Sequence, residues 1–299
     1  SKADDMNLRA FVVTDTLSKS MSASVHYKDP AAFALGFSEA DRARMERDLV
    51  KRNLENPYAS FAAGNGYAST IETDSLGGTL RISGFFGHEG QDSDAKNFGS
   101  QAELSYGLGQ GSKAGFLFGA LFEDNSVLGS VGSGAFALGK GTMTVYSGFG
   151  ATYQLDEKTS LRGAAYAGWT KPSLADNSLI TNMSNLITTS FNMGLERHEV
   201  ARKNDVLSFG ISQPIRVENG SMQFNLPYAR DAETDSVYST NLTQDFGKQG
   251  REIDLEANYA FPLEDENTTF SFGALYRHDA GHEAGNNDML GVLRVTKKF

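Results

Sequence analysis

Residues 252–261 read Glu-Ile-Asp-Leu-Glu-Ala-Asn-Tyr-Ala-Phe, and their polarity alternates along the chain. In a β-strand one face would carry Ile253, Leu255, Ala257, Tyr259 and Phe261, and the other Glu252, Asp254, Glu256, Asn258 and Ala260. A face with three carboxylates is too acidic for a dry protein core. The stretch therefore predicts a strand with one apolar face and one wet, charged face.

The same alternation recurs along the chain, for example in residues 102–109, 142–155, 187–196 and 269–277. The predicted strands run to about 10–14 residues, whereas strands of soluble sheets usually have 5 or 6. Membrane β-barrels need strands of about this greater length. The predicted strands are approximately 58–73, 76–88, 98–109, 112–124, 140–155, 158–170, 186–197, 204–216, 220–229, 250–262, 267–278 and 288–299. The sequence thus predicts an all-β transmembrane fold, an antiparallel up-and-down β-barrel of about twelve strands.

Composition fits this prediction and excludes several classes of function. The chain of 299 residues has 32 Gly, 20 Phe and 11 Tyr, as is typical of a barrel or sandwich. Its net charge of -10 argues against nucleic acid as a partner, because a phosphate backbone needs a basic surface. The absence of Cys removes disulfides, Cys-ligated metal and thiol nucleophiles, and no cofactor is expected. The longest apolar run, residues 114–122, is too short for a membrane-spanning helix.

Residues 38–58 are charged on nearly all sides and have helical character. Ser38 can cap a helix, and Pro57 is expected to end it. The predicted helix covers residues 37–57, and its charged part, Glu39 to Glu55, would be about 25 Å long, close to the height of the apolar band of a membrane barrel. We expect it to lie in the barrel lumen, after a linker or passenger remnant at 1–36 and before the barrel at 58–299. Its charged lumen residues are Arg42, Arg44, Arg47, Asp48, Lys51 and Arg52.

A charged helix in the lumen requires a charge-matched wall. The predicted acidic wall consists of Glu252, Asp254, Glu256, Glu103 and Glu196. Arg81, Arg162, Arg277 and Arg294 can meet the acids of the helix. Each exposed pair would contribute under about 1 kcal/mol.

The last strand alternates up to Phe299, with Leu293 and Val295 on the same face. This pattern resembles the carboxy-terminal signal of bacterial outer-membrane proteins, which the barrel-assembly machinery recognises, although Lys297 departs from it. The start of the chain, Ser1-Lys2-Ala3-Asp4-Asp5, carries no secretory signal, so we expect a mature chain or a fragment.

A polar helix followed by about twelve strands and a terminal Phe resembles the translocator domain of type V autotransporters. Four stretches, residues 129–136, 210–217, 250–256 and 276–278, are similar to those of autotransporters that export a subtilisin-type serine protease. The resemblance implies a monomeric translocator in the outer membrane of a Gram-negative bacterium, whose partners are lipid, the barrel-assembly machinery and its own passenger. No Ser/His/Asp constellation can be assembled from this chain, so catalytic and metal residues are expected to be absent and any protease would lie upstream of Ser1.

Three alternatives remain open at this point. His278-Asp279 and His282-Glu283 could serve an outer-membrane protease or lipase, by activating water. A small porin would need an open lumen, and a soluble β-sandwich would show the same alternation. The sides of the short turns also conflict, because the turns near Ser75, Gln110 and Asp156 fall opposite those at 218–220 and 264–266. Either residues 235–246 form an additional strand and another strand is miscounted, or short loops face outward in the first half of the barrel.

Overall fold

The computed structural model describes residues 11–18, 21–27, 56–63, 66–88, 96–263 and 268–297, and these are almost entirely antiparallel β-structure. The strands are β1 Phe11–Ser18, β2 Met21–Tyr27, β3 Gly66–Ser75, β4 Gly78–His88, β5 Lys96–Gly109, β6 Ser112–Asp124, β7 Ser126–Val127, β8 Ser130–Val131, β9 Lys140–Asp156, β10 Thr159–Lys171, β11 Ile180–Met183, β12 Leu186–His198, β13 Val206–Asn219, β14 Ser221–Arg230, β15 Val237–Asp245, β16 Ile253–Pro262, β17 Thr268–His278 and β18 Asp288–Lys297. One α-helix, α1 Pro57–Ala63, and short 3-10 turns at Gly134–Phe136, Phe246–Lys248 and Ala280–His282 complete the described elements. No helix among these residues is long and apolar enough to cross a membrane.

Thirteen strands form the main sheet, in the order β1-β2-β3-β4-β5-β6-β9-β10-β12-β13-β16-β17-β18. Each strand pairs antiparallel with the next, so the sheet is an up-and-down meander. Strands β11, β14 and β15 form a separate three-stranded sheet, and β7 pairs with β8. This confirms the prediction of an antiparallel β-rich fold.

Because every strand reverses direction, the connections of the main sheet alternate between its two ends. One end, called here the turn end, carries the short connections 19–20, 76–77, 110–111, 157–158, 199–205 and 263–267. The other, called the loop end, carries 28–65, 89–95, 125–139, 172–185, 220–252 and 279–287. All short turns thus lie at one end, which resolves the sidedness conflict.

The conflict arose from residues 220–229, which the alternation placed in the main sheet. They form β14, which pairs with β11 and β15 outside that sheet. The alternative left open by the sequence was right about 235–246, since β15 is a strand there. A polar hairpin within a loop has the same period of two as a wall strand, and periodicity does not distinguish them.

The start of the chain differs from the prediction in two places. Residues 11–18 and 21–27, expected in a linker, are strands of the main sheet next to β3. The strand expected from residue 58 begins only at Gly66, because residues 57–63 are helical. Pro57 stands at the first position of α1, and the Asn56 side chain accepts the Tyr58 N–H at 3.1 Å. The predicted helix that Pro57 is expected to end lies outside the described residues.

The main sheet exposes its apolar face and buries its polar face, which is the opposite of the arrangement in a soluble protein. Large apolar side chains are exposed on one face: Phe118 is 60% exposed and Phe98 is 55% exposed. The other face buries polar residues, among them Thr142, Thr144, Thr188 and Asn97, all at 0%. The buried apolar cluster on that face is small, with Leu117, Leu121, Tyr146 and Tyr166 packed around α1.

Candidate functional site: the buried polar face and its loop end

Helix α1 lies on the polar face and is anchored by side chains from distant strands. The Tyr58 ring stacks on Tyr146 of β9 at a centroid distance of 4.7 Å, and its hydroxyl lies 2.8 Å from Thr188 Oγ1 of β12. Asn56 Nδ2 donates to Gln101 Oε1 of β5 at 2.8 Å. Tyr58 and Asn56 are fully buried. These contacts fix the chain on the polar side of the sheet.

The same helix requires the sheet to curve. It contacts β3, β4, β5 and β6, and Tyr58 reaches β9, β10 and β12. Seven flat strands would be about 29 Å wide, whereas a seven-residue helix is only about 10 Å long. The sheet therefore wraps around α1. Gly168 makes room for it, because a Cβ at that position would lie 2.6 Å from the Tyr58 hydroxyl.

Of the predicted acidic wall, all five residues lie on the polar face, but only three are neighbours. Asp254 and Glu256 follow Glu252 along β16, with exposures of 7%, 8% and 3%. Glu103 is on β5, and Glu196 is near the turn end of β12, where it lies 2.6 Å from His198 Nε2. The faces of β16 are thus those derived from the sequence.

Two arginines, Arg81 and Arg277, form ion pairs with residues of the predicted acidic wall. Arg81 binds Glu72 at 2.9 Å and Glu103 at 3.3 Å, across adjacent strands. Arg277 of β17 binds Glu252 at 2.6 Å and lies 3.7 Å from Asp254. Arg81 and Arg277 were expected to meet the helix, whereas these contacts run within the wall.

The helix residues themselves, Arg42, Arg44, Arg47, Asp48, Lys51 and Arg52, lie outside the described part of the chain. Their pairing with the acidic wall stays a prediction. Of the predicted assembly signal, Leu293 and Val295 are exposed on the apolar face, at 63% and 53%, and Phe299 lies outside the described residues.

Three of the stretches that carry the family resemblance meet at the loop end, on the adjacent strands β13, β16 and β17. Arg216, 7% exposed, donates to the carbonyl oxygens of Gly247, Gln249 and Gly250 at 3.0–3.1 Å and pairs with Glu218. It thus ties the segment after β15 to the wall strand β13. The sequence analysis missed this role, because the acceptors are backbone carbonyl oxygens more than 30 residues away.

Arg251 and Glu252 extend the network to the 279–287 loop. Arg251 donates to Gln213 and Glu218. Glu252 accepts from Arg277 at 2.6 Å and from the Gly281 N–H at 2.6 Å. We call this set, Gln213, Arg216, Glu218, Arg251, Glu252, Arg277 and His282, the loop-end network.

His282 and His278, the candidates for an enzymatic site, both form contacts around the 279–287 loop. The Glu252 N–H donates to His282 Nδ1 at 3.0 Å, and His282 Nε2 donates to the Ile215 carbonyl at 2.9 Å. His278 Nδ1 lies 3.0 Å from Asn287 Oδ1, and its Nε2 is 3.8 Å from Asp279. Both rings thus connect the 279–287 loop to neighbouring segments. The described residues contain no group of three or more His, Cys, Asp or Glu that could hold a metal ion.

At the turn end, Asp205 organises the connection between β12 and β13. Its carboxylate accepts the N–H groups of Val200, Ala201 and Arg202 at 2.6–2.9 Å and the Tyr259 hydroxyl at 2.6 Å. Burial acts to raise the pKa of Asp205, but these hydrogen bonds outweigh it and hold the pKa below its usual range.

No protein-family model, no curated protein and no solved structure matches the chain.

Proposed function

We propose that the chain is the outer-membrane translocator domain of an autotransporter, which exports a passenger attached upstream of residue 1. The observation that carries the proposal is the reversed polarity of the main sheet. Exposed side chains such as Phe116, Phe149 and Leu255 form one apolar surface, while acids and amides are buried on the opposite face. A surface of this size is too apolar for a monomer in water, and lipid is the solvent that it fits.

The connections are short at one end of the main sheet and long at the other, and this difference supports one orientation of the protein in the membrane. Outer-membrane barrels have short periplasmic turns and longer extracellular loops. The turn end would then face the periplasm and the loop end the outside. Strand β1 begins at the loop end, so a passenger upstream of Phe11 would be joined to the barrel on the extracellular side.

Aromatic side chains on the apolar face support the same placement. On β5, Phe98 lies near the loop end and Tyr106 near the turn end, eight residues apart and both exposed. That separation is about 27 Å along the strand, or about 20 Å along the normal at a tilt near 40°. This approaches the height of the apolar band between the aromatic girdles of such barrels.

In this mechanism the protein does no bond chemistry. The polar face lines a passage, α1 obstructs it near the loop end, and the predicted helix at 37–57 fills the rest. The resemblance of residues 210–217, 250–256 and 276–278 to subtilisin-exporting autotransporters suggests a serine protease passenger.

A reporter fused upstream of residue 1, behind a secretion signal, tests the proposal. The fusion should fractionate with the outer membrane, and protease added to intact cells should remove the reporter. Phe118→Arg, at an exposed site of β6, should reduce membrane insertion, whereas Ser105→Arg on the polar face should be tolerated. A reporter retained in the periplasm, or a chain that stays monodisperse without detergent, overturns the proposal.

One observation favours a second candidate, a small porin. Residues 28–65 connect the neighbouring strands β2 and β3, and α1 within this connection lies on the polar face. An inward-folded loop is also a way to narrow a permanent pore. Planar-bilayer recording separates the two: high conductance of the intact chain favours the porin, whereas low conductance that rises on deletion of residues 38–55 favours the plugged translocator.

A further inference from the structure

If the main sheet closes into a barrel, the number of its strands decides whether its two edge strands can pair antiparallel. Thirteen strands alternate in direction, so β1 and β18 both run from the loop end to the turn end. A seam between them would be parallel. Single-chain bacterial barrels have an even number of antiparallel strands. The strand that runs opposite to β18 at the other edge is β2.

Strand β2 matches β18 in polarity. Its lipid-side positions are Met21, Ala23 and Val25, with Met21 and Val25 among the exposed hydrophobics. Strand β18 exposes Leu293 and Val295 on the same side. Both strands present apolar residues to one face, so pairing them would continue the apolar surface across the seam.

We infer that, in the membrane, β18 pairs with β2 and takes the place that β1 has in the structure. The resulting ring is β2 to β18 of the main sheet, twelve antiparallel strands. Because β2 begins at the turn end, residues 11–18 then run through the polar interior from the loop end. Eight extended residues cover about 26 Å, enough to cross the apolar band. The inference rests on the proposed function and names residues 11–18 as the segment that links passenger to barrel.

Disulfide trapping tests the seam, because the chain has no cysteine of its own. Every double variant carries Ser22→Cys on β2. In one variant the second cysteine is Thr16→Cys, the partner position on β1. In the others it is Leu290→Cys, Val292→Cys or Thr296→Cys on β18. Gly273→Cys with Val292→Cys, paired across β17 and β18, is the positive control. Disulfides form only where the Cα atoms come within about 7 Å.

In outer-membrane fractions we expect one β18 position to crosslink with Ser22→Cys in most molecules, at a yield at least tenfold above that of the Thr16 pair. A crosslink to β1 alone, or no crosslink to any β18 position while the control pair reacts, overturns the inference. The surface-reporter experiment distinguishes a failure of the seam from a failure of the proposed function. If the reporter is exported but only the β1 crosslink forms, the β2–β18 seam is rejected and the translocator proposal stands. If the β18 crosslink forms but the reporter is not exported, the seam stands and the translocator proposal is rejected.

Discussion

Tyr58 offers the sharpest test of whether α1 obstructs the passage. Replacing it with Phe removes the 2.8 Å contact with Thr188 Oγ1, which still donates to the Gly168 carbonyl at 3.3 Å. The loss should be about 1 kcal/mol, or about a fivefold rise in the undocked fraction of the helix. Replacing it with Ala also removes a fully buried ring stacked on Tyr146, at a cost of about 3–5 kcal/mol. That corresponds to a rise of roughly 10²- to 10³-fold or more.

Single-channel recording in planar bilayers measures the effect as open time. The wild type should be mostly closed, the Phe variant slightly more open and the Ala variant largely open. Tyr153→Ala, which removes an exposed ring from the apolar face of β9, is the matched control and should leave conductance unchanged. Heat-dependent mobility on gels shows which variants are folded. A folded Tyr58→Ala protein with wild-type conductance would refute the assignment of α1 as an obstruction.

Three further predictions concern the loop end, the wall and the turn end. Arg216→Lys should raise hydrogen exchange of residues 246–252 by about 10- to 100-fold, because Lys cannot reproduce the guanidinium fork, while Arg230→Lys at an exposed ion pair should have little effect. Gly148→Ala would place a Cβ 2.5 Å from a tyrosine ring and should destabilise the protein by about 1–3 kcal/mol in urea titrations, whereas Gly291→Ala, with open space around it, should be near neutral. Asp205→Asn should cost about 1–3 kcal/mol at pH 7. The pKa of Asp205 in the folded protein lies below the ordinary value of about 3.9. Its contribution to stability is therefore present above that value and is lost as pH falls through the folded pKa. Urea midpoints of the Asn variant should accordingly depend less on acid pH than those of wild type.

Local alternation was sufficient to predict most strands of the main sheet, although it wrongly included 220–229 and did not identify 11–18 and 21–27. On β16 the burial of Asp254, Glu256 and Asn258 follows the sequence period residue by residue. The same holds for β9, where Thr142, Thr144 and Tyr146 are buried. Side chains on a strand alternate by geometry, so this information is contained in each segment.

Other features depend on distant residues and could not be predicted in this way. Helix α1 begins at the Asn56-Pro57 pair, a cap followed by a first-turn proline, but the contacts that hold it in place come from β5, β9 and β12. The exclusion of β14 from the main sheet depends on its pairing with β11 and β15. Neither partner could be assigned from the residues of β14 itself.

The loop-end network decides what the family resemblance can support. The stretches 210–217, 250–256 and 276–278 are far apart in the chain, yet they converge because β13, β16 and β17 are neighbours in the main sheet. Their charged residues are used to hold the segments 246–252 and 279–287 in place, through Arg216, Glu252 and His282. All of these contacts are made among the described residues. They give the three stretches a role at the loop end that is independent of the proposed serine protease passenger, and that passenger stays a prediction.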